Sequence, residues 1–415
     1  MRACGSPKTG GFAHAHYLPT GRECNVPPRP QIAPNRVNLP HSSSFQSFGF
    51  AMLFLDAATF RAWASGRQQG PIASLLRMLA GCAEPVTAWY VARRNARFDS
   101  GRNPSERVAA PVISVGNLTV GGTGKTPFVA WLAEWFRQRQ VPVTLISRGY
   151  GKQGAGPNDE ARELALRLPD VPHVQNPDRV AAAKGALKNN PQQVLILDDA
   201  FQHRRIARDL EIVLLDALDP FGCDHLLPRG LLREPPRSLR RADVVALSRA
   251  DAISAAERMQ IRARVAELAP QAMWLEVTHR PTALVSTTGE RLPLSWLAGR
   301  KIAAFCGLGN PAGFEHTLQS TGAVVAHWQA FPDHCPYSPQ QVQQLERWLR
   351  TADCDAVVCT LKDLVKLPYE SLAEKRLWGL AIELEFLSGC EELTPLLAQL
   401  VERVVNQASN SLHFR

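Results

Sequence analysis

Apolar residues in this chain fall either into short unbroken runs or into stretches where they recur every three or four positions. Residues 112–115, 141–147, 194–197, 212–215 and 244–247 are runs of the first kind, the mark of strands buried on both faces. Helical patterns separate them. After the first run, Phe128, Trp131, Leu132, Trp135 and Phe136 sit at helical spacing. The alternation predicts an α/β fold with a mainly parallel sheet covered on both faces. Around residues 292–299 the pattern restarts, with runs at 302–305, 324–328, 356–360 and 380–386 and helical patterns near 340–349 and 393–405. A second α/β lobe is expected, and the lack of a fixed-period repeat argues against a solenoid.

The chain before the first run reads differently. Residues 1–51 are rich in Pro, Gly, Ser, His and Asn without any sustained period, so they cannot bury enough apolar surface to fold alone. Met52 opens the first patterned segment, which makes an upstream-extended translation start one reading of this leader. Between Pro71 and Arg97 stand Ile72, Leu75, Leu76, Met78 and Leu79, then Val86, Trp89, Tyr90 and Val91, then Arg93, Arg94 and Arg97. Apolar side chains, amphipathic rings and arginines in that order suit an amphipathic segment lying on an anionic lipid surface. A helix pair packed on the protein's own core fits the same residues, while Arg77, Glu84 and Pro85 argue against a spanning helix. The expected organisation is a leader at 1–51, a membrane-contacting helical segment at 52–110, a nucleotide-binding α/β domain at 111–290 and a C-terminal α/β domain at 291–415.

Composition adds constraints. A chain of 415 residues with 45% hydrophobic content exceeds what one core usually organises. Its 47 basic against 38 acidic residues leave a formal charge of +9, which favours an acidic partner. Without a recognition-module signature, nucleic acid is not expected. Nine scattered cysteines lack zinc spacing and suggest a reducing compartment.

The ligand is named by Gly121-Gly122-Thr123-Gly124-Lys125-Thr126, directly after the run at 112–115. Glycine-rich backbone turns its N–H groups around phosphate oxygens, Lys125 would bridge the outer phosphates, and the Thr126 hydroxyl would hold Mg²⁺. The cradle is taken to run from Thr119 and Val120, although Thr119 stands where the usual pattern has glycine. A nucleoside triphosphate is the implied ligand. The run at 194–197 then delivers Asp198 and Asp199 to a strand's carboxyl end, the ligand-binding edge of such sheets. Either carboxylate could hold Mg²⁺ opposite Thr126.

After that pair come Ala200-Phe201-Gln202-His203, and the whole resembles the tetraacyldisaccharide 4'-kinases of lipid A biosynthesis. The stretch from Ser114 to Pro127 carries the same likeness, as do Ser147-Arg148-Gly149-Tyr150-Gly151, Leu226-Leu227-Pro228-Arg229-Gly230 and Leu232-Arg233-Glu234-Pro235. Phe305 to Pro311, Phe331-Pro332-Asp333-His334 and Thr360-Leu361-Lys362-Asp363 extend it, so that it covers about residues 70 to 400. The resemblance implies two α/β/α lobes, the first P-loop NTPase-like, with an N-terminal membrane-contacting helical part. It further implies transfer of the ATP γ-phosphate to the 4'-hydroxyl of an acylated glucosamine disaccharide 1-phosphate, at the cytoplasmic face of the inner membrane, by a peripheral monomer.

A sugar hydroxyl needs a positioned base as its bond to phosphorus forms. The family assigns this to a carboxylate and a histidine, which map onto Asp159 and His334, with Lys125 as the third catalytic residue. Arg148, Gln202, Arg229 and Arg233 are the residues expected to hold the substrate, since a guanidinium matches phosphate bidentately. Departures from the family pattern are Asn158 and Ala200 for glycine, Arg229 for alanine and Leu361 for glutamate. Asn158 can still adopt the left-handed backbone that glycine adopts, which makes that change mild. Two other classes compete. Ser248-Arg249-Ala250-Asp251 follows a strand as the guanine-reading block of switch GTPases does, though its first two residues differ from that block. A membrane-surface binding module without catalysis is the third reading.

Overall fold

The computed structural model describes residues 57–149 and 157–412. The expected leader at 1–51, and Tyr150 and Gly151 of the Ser-Arg-Gly-Tyr-Gly block, lie outside the described residues. Thirteen strands are described: β1 Val112–Asn117, β2 Val143–Ser147, β3 His173–Gln175, β4 Val194–Asp198, β5 Leu210–Asp216, β6 Val244–Ser248, β7 Met273–Val285, β8 Arg291–Pro293, β9 Lys301–Cys306, β10 Val324–Ala330, β11 Ala356–Thr360, β12 Ser371–Leu372 and β13 Lys375–Ser388. The helices are α1 Ala57–Ala64, α2 Pro71–Asp99, α3 Lys125–Arg137, α4 Asp159–Arg167, α5 Arg179–Asn189, α6 Ala255–Leu268, α7 Pro311–Gln319, α8 Pro339–Arg350, α9 Leu361–Leu364 and α10 Cys390–Leu412.

These strands form one sheet in the order β10-β9-β11-β13-β7-β6-β5-β1-β4-β2-β3, with β8 added on β7 and β12 on β13. From β3 to β7 every pairing is parallel, and so is every pairing from β13 to β10. The two parallel sets meet at a single antiparallel seam, β7 against β13. The expected runs are all strands. The seam strand β7 has no such signature, because its pattern alternates partly exposed and buried positions instead of forming an apolar run.

Full burial of β1, β4, β5 and β6 follows from helices on both faces. On one face α3 buries Phe128, Leu132 and Phe136, and α10 adds Leu393, Leu397 and Leu400 to the same cluster. Although α10 follows the second strand set, it therefore packs on the first. Burying such a side chain contributes on the order of 1.5–3 kcal/mol.

The N-terminal helix shows the reverse polarity. On α2, Ala73, Ala80, Val91 and Asn95 face inward, while Ile72, Leu75, Met78, Leu79, Val86, Trp89 and Tyr90 are exposed, Ile72 at 74% and Trp89 at 62%. At 3.6 residues per turn these form opposite faces of one helix. Its small residues pack inward, Ala73 and Ala80 against Trp63 of α1, so the helix does pack on the protein, but through those residues, and it leaves the large apolar ones uncovered. No helix among the described residues is long and apolar enough to cross a membrane.

Candidate active site

The glycine-rich segment leaves β1 and enters α3 at Lys125. Gly124 precedes the helix at φ 81°, in the left-handed region, and a Cβ there would lie 2.4 Å from His279 Nε2 and 2.6 Å from Ser248 Oγ. Only glycine satisfies both demands. The start of the segment is tied elsewhere: Val120 N–H donates to the Leu231 carbonyl at 2.8 Å and Thr119 bridges Leu232. Val120 through Thr126 line a cavity of about 920 Å³. Thr119 is buried behind them.

Across this loop, Asp198 and Asp199 end β4, and both line the cavity. Their surroundings differ. Asp199, at φ 52°, meets Lys125 Nζ at 3.4 Å and receives Arg233 Nη1 on both oxygens at 2.9 Å. Burial works against its charge, yet Lys125 and Arg233 hold its carboxyl well below the usual range. Asp198 has a buried Oδ1 without a hydrogen-bond partner, and burial together with Glu160 and Asp199 pushes it up to about 7. A buried carboxylate oxygen in that condition suits a cation, so the residues fit Mg²⁺, with Asp198, one oxygen of which has no partner, rather than the doubly paired Asp199, offered to it on the cavity that Thr126 also lines. The left-handed residue here is Asp199, so the change to Ala200, itself fully buried, falls in the packing beneath the turn.

The acceptor side comes from distant segments. Asp159 begins α4, capped by Asn158, whose Oδ1 accepts from Ala161 N–H at 3.1 Å. Asn158 is extended, at φ −73°, because an N-cap needs that backbone, so the left-handed conformation open to asparagine is not used. Asn158 and Glu160 line the cavity, while Asp159 turns its Oδ2 to His334 Nδ1 at 3.2 Å and Lys366 Nζ at 3.1 Å. Burial raises the Asp159 pKa, but the His334 bond and the Lys366 charge outweigh it and hold it low. With Nδ1–H donating to Asp159, His334 Nε2 carries the lone pair, by assignment from the bonding network. It lies 3.5 Å from Lys362 Nζ, and His334 lines the cavity from a left-handed backbone at φ 59°.

Of the residues expected to hold substrate, Arg148, Gln202 and Arg233 line the same cavity. Gln202 Nε2 donates to the Asn117 carbonyl at 2.8 Å, and Arg233 is committed to Asp199. Arg229 does not reach the cavity; its Nη1 donates to the Ala64 carbonyl of α1 at 3.0 Å. Sequence reading missed Glu160, Lys362 and Lys366, and took Arg249 only as part of a guanine-reading block. Buried Lys366 also donates to the Cys335 carbonyl at 3.1 Å, and the four-residue spacing of Lys362 and Lys366 after the Thr360 block was the available signal. The proposed guanine reader is occupied internally: Arg249 Nη2 donates to the Gly122 carbonyl at 2.9 Å, and Asp251 accepts from Thr278 and from His316.

A phosphate loop and a histidine held by a carboxylate, the two facing each other across one cavity, fit a P-loop kinase, in which a hydroxyl acceptor meets the outermost phosphate. The model of the tetraacyldisaccharide-1-P 4'-kinase family matches residues 75–402. A tetraacyldisaccharide 4'-kinase from Anaeromyxobacter sp. (strain K) is 40% identical over 347 residues, 79% of this chain and 92% of that protein. The Chromobacterium violaceum enzyme of that name is 35% identical, over 76% of this chain and 91% of its own. A crystal structure of LpxK from Aquifex aeolicus in complex with ATP superposes with a TM-score of 0.62 at 29% identity, covering 79% of this chain and 99% of that one. The chain belongs to the tetraacyldisaccharide 4'-kinase family and is a kinase of lipid A biosynthesis. The GTPase and the inactive binding module are not favoured.

Proposed function

We propose that this site moves the γ-phosphate of ATP to the 4'-hydroxyl of a tetraacyldisaccharide 1-phosphate, with the work divided between the two sides of the cavity. The observation that carries this reading is that His334, bonded to Asp159 175 positions away, lines the cavity walled by the phosphate loop.

Backbone N–H groups of residues 121–126 and the start of α3 surround the phosphates. Lys125 neutralises the charge that gathers on the transferred group, and its present partner Asp199 keeps the ammonium aimed at the cavity. Thr126 and Asp198 would hold Mg²⁺, which supplies positive charge to the phosphate oxygens when bound. As the 4'-oxygen bonds to phosphorus and the bond to the ADP oxygen breaks, the hydroxyl proton passes to His334 Nε2. Asp159, accepting from Nδ1–H, steadies the charged imidazole. Lys366 fixes the carboxylate, and Arg148, with Gln202 and Arg233 behind it, offers positive charge to the phosphorylated sugar.

In this reading residues 111–290 hold the nucleotide and also lend Asp159 of α4 to the acceptor side, while 291–415 supply His334, Lys362 and Lys366 and α10 crosses back. The outward apolar face of α2, with Arg93 and Arg97 at its end, lies on the anionic cytoplasmic leaflet and presents the cavity to a lipid acceptor. Every group used belongs to one chain, so a monomer suffices. Radiolabelled ATP incubated with purified disaccharide 1-phosphate lipid in detergent should yield a bis-phosphorylated product; absence of label in the lipid, with the protein folded and binding ATP, would refute the reading.

A further inference from the structure

Arg249 has no part in the chemistry above, yet its side chain reaches from the end of β6 to the phosphate loop. Its backbone is left-handed at φ 54°, a conformation that non-glycine residues rarely adopt. Nη1 pairs with Asp216 Oδ2 at 2.8 Å, and Nη2 donates to the Gly122 carbonyl at 2.9 Å. The same Asp216 oxygen accepts from Asn310 Nδ2 at 2.9 Å, and Asn310 caps α7 in the second strand set. One turn into α7, Gly313 lies so close that a Cβ would sit 2.6 Å from Arg249 Nε. Asp216 is nearly fully buried and Arg249 is 9% exposed.

A peptide unit is planar, with its carbonyl and the next N–H on opposite sides. Whatever holds the Gly122 oxygen therefore sets the direction of the Thr123 N–H. We infer that Arg249 is a positioning residue of the phosphate loop: anchored by Asp216 and covered by α7, it holds the Gly122 carbonyl so that the Gly122–Thr123 peptide turns its N–H to the bound phosphates. This rests on the reading that residues 121–126 grip a nucleotide. It makes the loop's grip depend on the second strand set, since Asn310 and Gly313 complete the seat of the guanidinium.

The test uses the full-length protein and a fluorescent ATP analogue, with steady-state kinetics and melting temperature recorded in parallel. Arg249→Met should weaken analogue binding and raise KM for ATP about tenfold, with KM for the lipid within about twofold. Arg249→Lys, able to reach Gly122 or Asp216 but not both, should recover part of the loss. Gly313→Ala removes no polar group yet displaces the guanidinium, so it should repeat the nucleotide defect. Wild-type affinity in Arg249→Met, or in Gly313→Ala should the first variant not fold, overturns the inference. Lys125→Ala separates the two ideas: if it too binds the analogue normally, the phosphate-loop reading fails instead. A defect that tracks melting temperature, with both KM values rising together, would show a role in folding alone and would equally overturn positioning.

Discussion

The two walls of the cavity are assembled in opposite ways. The donor wall is local: seven consecutive residues, Val120 to Thr126, bend around one space, and the strand pairing of Val115 with Asp198 brings the acidic pair beside them. The acceptor wall gathers Asp159 from α4, His334 from the turn after β10, Lys362 from α9 and Lys366 from just beyond α9. These meet only because the two parallel sets join along β7 and β13. A contiguous motif carries its geometry with it, whereas a dispersed site borrows its geometry from the sheet.

Removing the central cation of the donor wall should do the most damage. Lys125→Ala is expected to cut phosphate transfer by roughly 10³-fold with melting temperature nearly unchanged, as read by product formation and thermal unfolding. On the acceptor wall, His334→Ala should lower kcat by about 10²-fold or more and leave binding of the ATP analogue intact. Adding Asp159→Asn to it should cost little further, because the pair acts as a unit; additive losses would mean that the two work separately.

Lys366→Met tests whether the acceptor wall needs its buried support. An order-of-magnitude loss in kcat is expected from freeing the Asp159 carboxylate, with KM for ATP unmoved. The outward face of α2 lies beyond both walls. Charging it with Met78→Asp and Trp89→Asp should release the protein from anionic vesicles in a sedimentation assay, while activity on detergent-dispersed lipid changes less than about twofold.

The smallest effect lies beneath the donor wall. Burial, helped by Arg249, keeps His279 neutral, its pKa lowered to about 3, whereas the unfolded chain titrates it near 6.5. Between those values the unfolded state binds the extra proton, so stability from this residue is complete above about pH 6.5 and falls as pH drops. The slope approaches about 1.4 kcal/mol per pH unit. Urea unfolding of wild type and His279→Gln between pH 5 and 7 should show the shallower dependence in the variant; parallel curves would contradict it.

Legibility followed the same division. The donor wall could be read directly, since Gly124, Lys125, Thr126, Asp198 and Asp199 stand in short patterns whose spacing implies their chemistry. Asp159 and His334 were found only through likeness to a family, because nothing in either neighbourhood announces the other. Lys366 escaped notice and Arg249 was read only as part of a guanine-reading block: each acts through a partner more than a hundred positions away. Arg229 reads as a phosphate ligand in sequence but serves the contact with α1.

By itself the order of residues decided the strands, the phosphate loop and the apolar stripe of α2, since each depends on backbone preference and side-chain periodicity over a dozen positions. Tertiary structure alone decided that the stripe points outward, that one Asp198 oxygen is left without a partner while Asp199 is held by two cations, and that His334 comes within reach of Asp159. The first two depend on burial and on charges gathered within the first parallel set, the last on the antiparallel seam. Desolvation and Coulomb forces act through space, and distance along the chain does not measure them.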